Sequence, residues 1–143
     1  MRTLFTRDLE RLITELEAYP DEASIWRVRG DILNPAGTLA LHLMGNLSQF
    51  VGDDLGGVPY ARNRPAEFAR RDVPRSDLVA ELRQVTALVA GTLERLSPVR
   101  LDDPHPRPLP DFPQGMTIRY FLLHLYGHLG WHLGQVNYHR RLL

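Results

Sequence analysis

The 143-residue chain contains no cysteine, which excludes disulfide bonds, thiolate metal ligands and a nucleophilic thiol of the protein's own. It also lacks a positive excess, because 17 Lys and Arg balance 17 Asp and Glu. This balance disfavours a surface built to bind nucleic acid. No apolar run reaches the roughly 18 residues that a membrane span needs. Residues 1–10 are amphipathic and partly acidic, unlike a signal peptide. We therefore expect a cytoplasmic, bacterial protein without nucleic-acid or membrane partners.

Four segments have the apolar periodicity of amphipathic helices, and no segment has the alternation of a strand. The predicted helices run from about Leu4 to Tyr19, from the Asn34-Pro35 cap to about Leu55, from the Ser76 cap to about Leu96, and from about Thr117 to the C-terminus. Four such helices predict an all-α four-helix bundle, formed by one domain over residues 1–143. The connections 56–75 and 97–116 are long, as a bundle with parallel neighbouring helices would require.

The last predicted helix carries histidines at every fourth position, namely His124, His128 and His132. Neighbours at this spacing lie about 5–6 Å apart at Cβ on one helix face. A helical wheel places His128 and His132 in the middle of the apolar face and His124 at its margin. Buried imidazoles need partners for both ring nitrogens. The pair therefore favours metal binding, and a hydrogen-bonded core network is the alternative.

Further histidines offer additional ligands. His42 heads a polar stripe on the second helix that continues through Asn46 and Gln49. This stripe is interpreted either as the polar wall of a cavity or as an ordinary boundary between core and solvent. His105 lies in a proline-rich loop, where we expect it to be solvated. His139 lies one to two turns beyond His132, and its role stays open.

Two other features of the last helix bear on its packing and chemistry. Gly127, Gly130 and Gly134 form a stripe on the flank away from the histidine pair. Glycine is costly inside a helix, so the stripe predicts the close approach of another helix, from the bundle or from a dimer partner. Leu129 follows the first histidine of the pair, where the zinc-protease motif has its glutamate. That protease class is therefore excluded.

Two segments carry a resemblance to a known family. The run from His128 to Gln135 resembles the H-x-x-x-H-x-G-Q signature of the DinB-like superfamily, and the run from His42 to Gln49 is similar to the family's second helix. The stretch from Glu67 to Leu78 resembles the family's approach to its third helix. The chain departs from the commonest signature in having Leu133 where many members carry arginine.

The resemblance implies a DinB-like four-helix bundle with a long crossover, usually a homodimer. It also implies one divalent metal ion per chain, held by three histidines that correspond to His42, His128 and His132. Zinc or nickel is the preferred ion, and manganese and iron are alternatives. Three protein ligands leave a position open for water or substrate, as catalytic sites do.

Characterised members of the family include transferases and isomerases that depend on low-molecular-weight thiols. We therefore expect a thiol-dependent transferase or a hydrolase that acts on a small molecule with a metal-activated water or thiolate. The alternative is a non-catalytic, stress-related bundle protein in which the ion is structural. Candidate catalytic or orienting residues are the polar side chains near the expected ligands: Asn46, Gln49, His124 and Gln135.

Overall fold

A computed structural model describes residues 1–143 as an all-α protein with no strand. Four long helices form the bundle, and two short ones lie in the connections. The elements are α1 Arg2–Glu17, α2 Glu22–Trp26, α3 Ala36–Leu47, a π-helix Ser48–Asp53, α4 Arg64–Ala69, α5 Arg75–Arg95, a 3₁₀ helix Pro98–Asp102 and α6 Ile118–Leu142. None of these helices is long and apolar enough to cross a membrane.

Contacts at the helix ends define the direction of α1 relative to its two neighbours, α5 and α6. Arg2 near the start of α1 bonds Glu94 near the end of α5, at 2.7 Å, so these two helices are antiparallel. Glu15 near the end of α1 bonds Arg140 near the end of α6, also at 2.7 Å, so α1 and α6 are parallel.

The helix α3 packs against the same two helices from the opposite corner of the bundle. Phe50, just beyond its end, contacts Phe121 at the start of α6 with ring centroids 5.1 Å apart. Gly52 faces Leu88 in the second half of α5. The helix α3 is therefore antiparallel to α6 and parallel to α5. Because parallel neighbours need a connection that returns along the bundle, the long α3–α5 segment follows from the topology.

The predicted helix boundaries hold to within two residues, with one change of geometry. The second predicted helix is α-helical only to Leu47 and continues as the π-helix to Asp53. Its N-cap is Pro35, without a side-chain capping bond, so Asn34 does not cap it. The third begins at Arg75, one residue before the predicted cap Ser76. The predicted start of the last helix is confirmed, because the Thr117 side chain accepts a hydrogen bond from Tyr120 N.

The two short helices were not predicted, although each has its own cap. The side chain of Asp21 accepts a hydrogen bond from the amide of Ser24 at the start of α2. Asn63 does the same for Ala66 at the start of α4. Both helices are too short to display a period that sequence analysis can recognise. The helix α4 packs against α3 and delivers one buried carboxylate to it.

Three predictions about side-chain environment need correction. His128 and His132 are only half-buried, because the core of α6 is centred further round the helix. The fully buried positions are Ile118, Phe121, Leu122, Leu125, Leu129 and Val136. The histidine pair therefore lies at the edge of the buried face, beside α3.

The glycine stripe is not a site of close packing within the chain. A Cβ added at Gly127, Gly130 or Gly134 would meet no atom within 4 Å. The bundle helices therefore do not approach α6 along this stripe, because α1 and α3 pack on its other sides. The prediction that another helix of the same chain approaches this stripe closely is therefore wrong.

His105 is buried rather than solvated, with only 8% of its surface exposed. Its ring lies 4.5 Å from that of Phe121, and its Nδ1 accepts a hydrogen bond from the amide of Arg107. The proline-rich loop folds across the end of the bundle, where the ring of His105 packs against Phe121 and its Nε2 lies 3.9 Å from the carboxylate of Asp54.

His139 is a satisfied structural histidine. Its Nε2 donates to the carbonyl of Arg27 at 2.8 Å, and its Nδ1 lies 2.6 Å from the hydroxyl of Tyr19. With 3% of its surface exposed, it ties the end of α6 to α1 and to the segment after α2.

We expect His139→Leu to lower the free energy of unfolding by about 1 kcal/mol, because the Arg27 carbonyl and the buried Tyr19 hydroxyl lose their histidine partner. Denaturant unfolding measures the change. The exposed His124 supplies the control, and His124→Leu should leave the free energy of unfolding nearly unchanged. Equal stability of the two variants would contradict the structural role of His139.

Candidate metal centre

Three imidazole nitrogens converge between α3 and α6. The Nε2 atom of His128 lies 3.2 Å from Nε2 of His42 and 3.0 Å from Nε2 of His132. The antiparallel pairing of α3 and α6 places His42 opposite the pair, and the four-residue spacing stacks the other two on α6. This is the group of side chains in the structure that could hold a metal ion.

Each outer histidine is held by a hydrogen bond to its other ring nitrogen. Nδ1 of His42 lies 3.0 Å from Oε2 of Glu67, and Nδ1 of His132 lies 2.6 Å from Oε1 of Gln135. Both partners are acceptors, so each Nδ1 carries the proton and donates it. Each Nε2 is then left with a lone pair directed toward the cluster.

The carboxylate of Glu67 is itself fixed by a cation. Arg62 donates from Nε to Oε1 at 2.7 Å and from Nη2 to Oε2 at 2.9 Å. Such paired bonds fix both the position and the charge of a carboxylate. Gly45 makes this arrangement possible, because a Cβ there would overlap the Glu67 carboxylate. The helix α4 thus anchors His42 from outside the bundle.

The central histidine cannot satisfy both neighbours by hydrogen bonding. A neutral His128 has one ring proton, so its Nε2 can donate to only one of the two facing lone pairs. Its Nδ1 is buried and has no hydrogen-bond partner in either case. Facing lone pairs repel unless a positive centre lies between them, and a cation would remove that repulsion. The proton arrangement therefore fits a metal ion.

The distances fit the same conclusion. Three nitrogens placed tetrahedrally around one ion at about 2.0–2.1 Å lie about 3.3 Å from one another. Two of the separations in the cluster are 3.0 and 3.2 Å. A small shift of the side chains would admit the ion, so the donor set is suited to a divalent metal in chemistry and in spacing.

Burial keeps the three histidines neutral, the form that binds metals. Desolvation lowers the pKa of His128 to about 3, and the positive charge that His132 and His42 would carry adds to the effect. Desolvation also lowers the pKa of His42, against the opposing effect of the hydrogen bond that its Nδ1 donates to Glu67. The same cause lowers the pKa of His132.

The other predicted candidates lie around the cluster with different partners. Asn46 is buried one turn after His42, and its Oδ1 has no hydrogen-bond partner. Gln49 is buried too, but its amide donates to Asp53 at 2.9 Å. His124 is exposed and does not belong to the group of three histidines that could hold a metal ion. Its ring lies 6.3 Å from that of His128 in a stacked arrangement.

Sequence reasoning did not assign Glu67 and Arg62 to the site. They are five residues apart, a spacing that places them on no common helix face, and Arg62 precedes α4. Their only sequence signal was the position of Glu67 in a segment similar to the DinB-like pattern. Their role depends on tertiary contact with α3, which no local spacing encodes.

We expect Glu67→Gln to weaken zinc binding about tenfold, because an amide holds the Nδ1 proton of His42 less strongly and leaves Arg62 without its counter-charge. Competition with a chromophoric chelator measures the dissociation constant. The exposed Glu94, which pairs with Arg2 on the surface, provides the control Glu94→Gln. Equal zinc affinities for the two variants would show that Glu67 has no part in positioning His42.

In the metal-free protein we expect the free energy of unfolding to fall as the pH decreases below 6.5. The unfolded histidine titrates near pH 6.5, whereas the folded His128 titrates near pH 3. Between these values the unfolded state binds more protons, so acid favours unfolding. Denaturant unfolding at pH 7 and 5.5, with a chelator present, measures the change. His128→Gln should show a weaker dependence; a wild-type protein equally stable at both values would contradict it.

Comparison with known proteins places this site in a family. A sequence model described as the DinB superfamily matches residues 4–136, which include all three histidines and the segment that carries Glu67. No curated protein matches the chain, and no solved structure does. The match covers most of the chain, and the all-α fold agrees with it. The chain is a member of the DinB superfamily.

Proposed function

We propose that this chain is a metal-dependent enzyme, formed by one domain, that holds a divalent ion with His42, His128 and His132. Its reaction is a thiol-dependent transfer or a hydrolysis of a small molecule. Zinc or nickel is the preferred ion, and manganese and iron are alternatives.

One observation carries this proposal: the group that could hold a metal ion consists of three histidines, with no fourth protein ligand. Structural zinc sites are almost always closed by four protein ligands, whereas catalytic sites keep a position free. The chain has no cysteine to complete the set. The carboxylate nearest to His42, that of Glu67, is bonded to Nδ1 and to Arg62 rather than directed at the cluster.

A divalent ion with an open position lowers the pKa of a bound water or thiol, which supplies a nucleophile at neutral pH. Solvent or a small thiol would supply the nucleophile, since the chain has no cysteine thiol of its own. Glu67 and Gln135 keep the Nε2 lone pairs of His42 and His132 directed inward. Asn46, one turn after His42 on α3, has a buried oxygen without a hydrogen-bond partner, and we assign to it a donor group of the substrate.

We also propose a cytoplasmic homodimer that binds neither nucleic acid nor membranes. The open flank of α6 supports the dimer, because exposed apolar side chains follow the glycine stripe. Leu123 and Trp131 are 58% and 70% exposed. The zero net charge supports the absence of a nucleic-acid partner.

Metal content measured by mass spectrometry tests the proposal. We expect about one ion per chain in protein purified without a tag or chelator, and loss of that ion in His128→Ala. His124→Ala is the matched control, since it removes an exposed histidine one turn away on the same helix. This control should retain the ion.

Three outcomes would overturn parts of the proposal. Protein that neither contains nor takes up metal would exclude the enzyme function and leave the histidines as a core network. Metal loss that lowers thermal stability, without turnover in screens of thiol transfer and hydrolysis, would favour the non-catalytic alternative. Retained metal in His128→Ala would exclude this residue as a ligand.

A further inference from the structure

A cavity of about 390 Å³ lies beside the histidine cluster, and its walls include His132. It is formed by the 31–34 segment, the start of α3 and the last turns of α6. Its volume is within the range of small-molecule sites. The cavity thus shares a side chain with the cluster but extends away from it, toward the end of α6.

The walls of this cavity are largely apolar. Ile32, Leu33, Leu39 and Leu142 contribute aliphatic side chains, and Tyr138 an aromatic ring. Three of these are among the exposed large apolar residues of the chain, with Leu33 the most exposed at 85%. Apolar side chains left open around a concavity mark a surface that binds an apolar ligand.

Charge is nearly absent from the same walls. Asp31 is the one acidic residue that lines the cavity, and no lysine or arginine does. The side chains of these walls would therefore give a phosphate or a polycarboxylate no cationic partner to replace its hydration. Gln135 lies at the end of the cavity next to His132, and its Oε1 accepts the hydrogen bond from His132 Nδ1 at 2.6 Å.

We propose that this cavity binds the body of the substrate and that the substrate is an uncharged, mainly apolar small molecule. Its polar reacting group lies at the His132 end, and its apolar part lies against Leu33 and Leu142. This inference rests on the proposed metal-dependent function, because an ion held by the three histidines would bind the reacting group of the substrate.

The test uses a fluorinated probe and cobalt-loaded protein. The probe is 4-(trifluoromethyl)benzyl alcohol, and the charged comparison is 4-(trifluoromethyl)benzenesulfonate, whose anion coordinates metal ions far more weakly than a phosphate does. A probe in the cavity lies near the cluster, so cobalt(II) should broaden its fluorine signal in proportion to occupancy. We expect the alcohol to be broadened and the sulfonate to bind at least about fivefold more weakly.

Paired variants locate the binding site on the protein. Leu33→Glu places a charge in the apolar wall and should weaken binding of the alcohol at least about fivefold. Val99→Glu is the control, because Val99 is 81% exposed, much as Leu33 is, but does not line the cavity. This control should bind the alcohol as the wild type does.

The outcomes separate this inference from the proposed function. Failure of the wild type to retain cobalt would overturn the metal-dependent function on which the inference rests. Retained cobalt with no broadening, or equal affinities for Leu33→Glu and Val99→Glu, would overturn the cavity as the substrate site. A change of oligomeric state in Leu33→Glu with unchanged probe affinity would mark the cavity as a contact between chains and would also overturn it.

Discussion

The convergence of three imidazole Nε2 atoms, with that of His128 about 3 Å from each of the other two, is the constraint on which the site depends. These atoms face one another because Glu67 and Gln135 hold the protons of His42 and His132 on the far side of each ring. The arrangement needs a buried carboxylate, a cation to neutralise it and a glycine to make room for it. The short helix α4 supplies this carboxylate from Glu67. The Asn63 cap begins the helix, and packing against α3 holds it in place. Much of the 54–74 connection is therefore part of the site rather than a spacer.

The topology explains why the site lies at the side of the bundle. The helices α3 and α6 are antiparallel neighbours, so side chains from the middle of each meet at their seam. The seam is covered on one side by α4 and left partly open on the other, where His132 borders a cavity. Burial on the closed side keeps the imidazoles neutral. The open side is where a ligand can enter without disturbing the core.

The four long helices and the histidine spacing could be predicted from sequence because both depend on a local period. The position of His42 across from His128 and His132 could be predicted only through resemblance, since 86 residues separate His42 from His128. The environment of individual side chains was harder to predict from sequence. His105 looked like a loop residue but is buried, since the fold of the proline-rich loop is decided by the apolar end of the bundle. The glycine stripe indicated close packing, yet the helices that could fill it pack elsewhere. The Arg62–Glu67 pair depends on a tertiary contact that no periodicity reveals.

The long sequence separation across the α3–α6 seam has a consequence for how the protein assembles. The chain must close a loop of this size before His42 can meet the α6 histidines, and the entropy of that closure opposes early contact. The cluster can therefore form only once α3 and α6 have paired. A cation would find no site on the nascent chain while α6 is still being synthesised. Loading with metal would be a maturation step of the folded protein, and unfolding that begins at the seam would release the ion first.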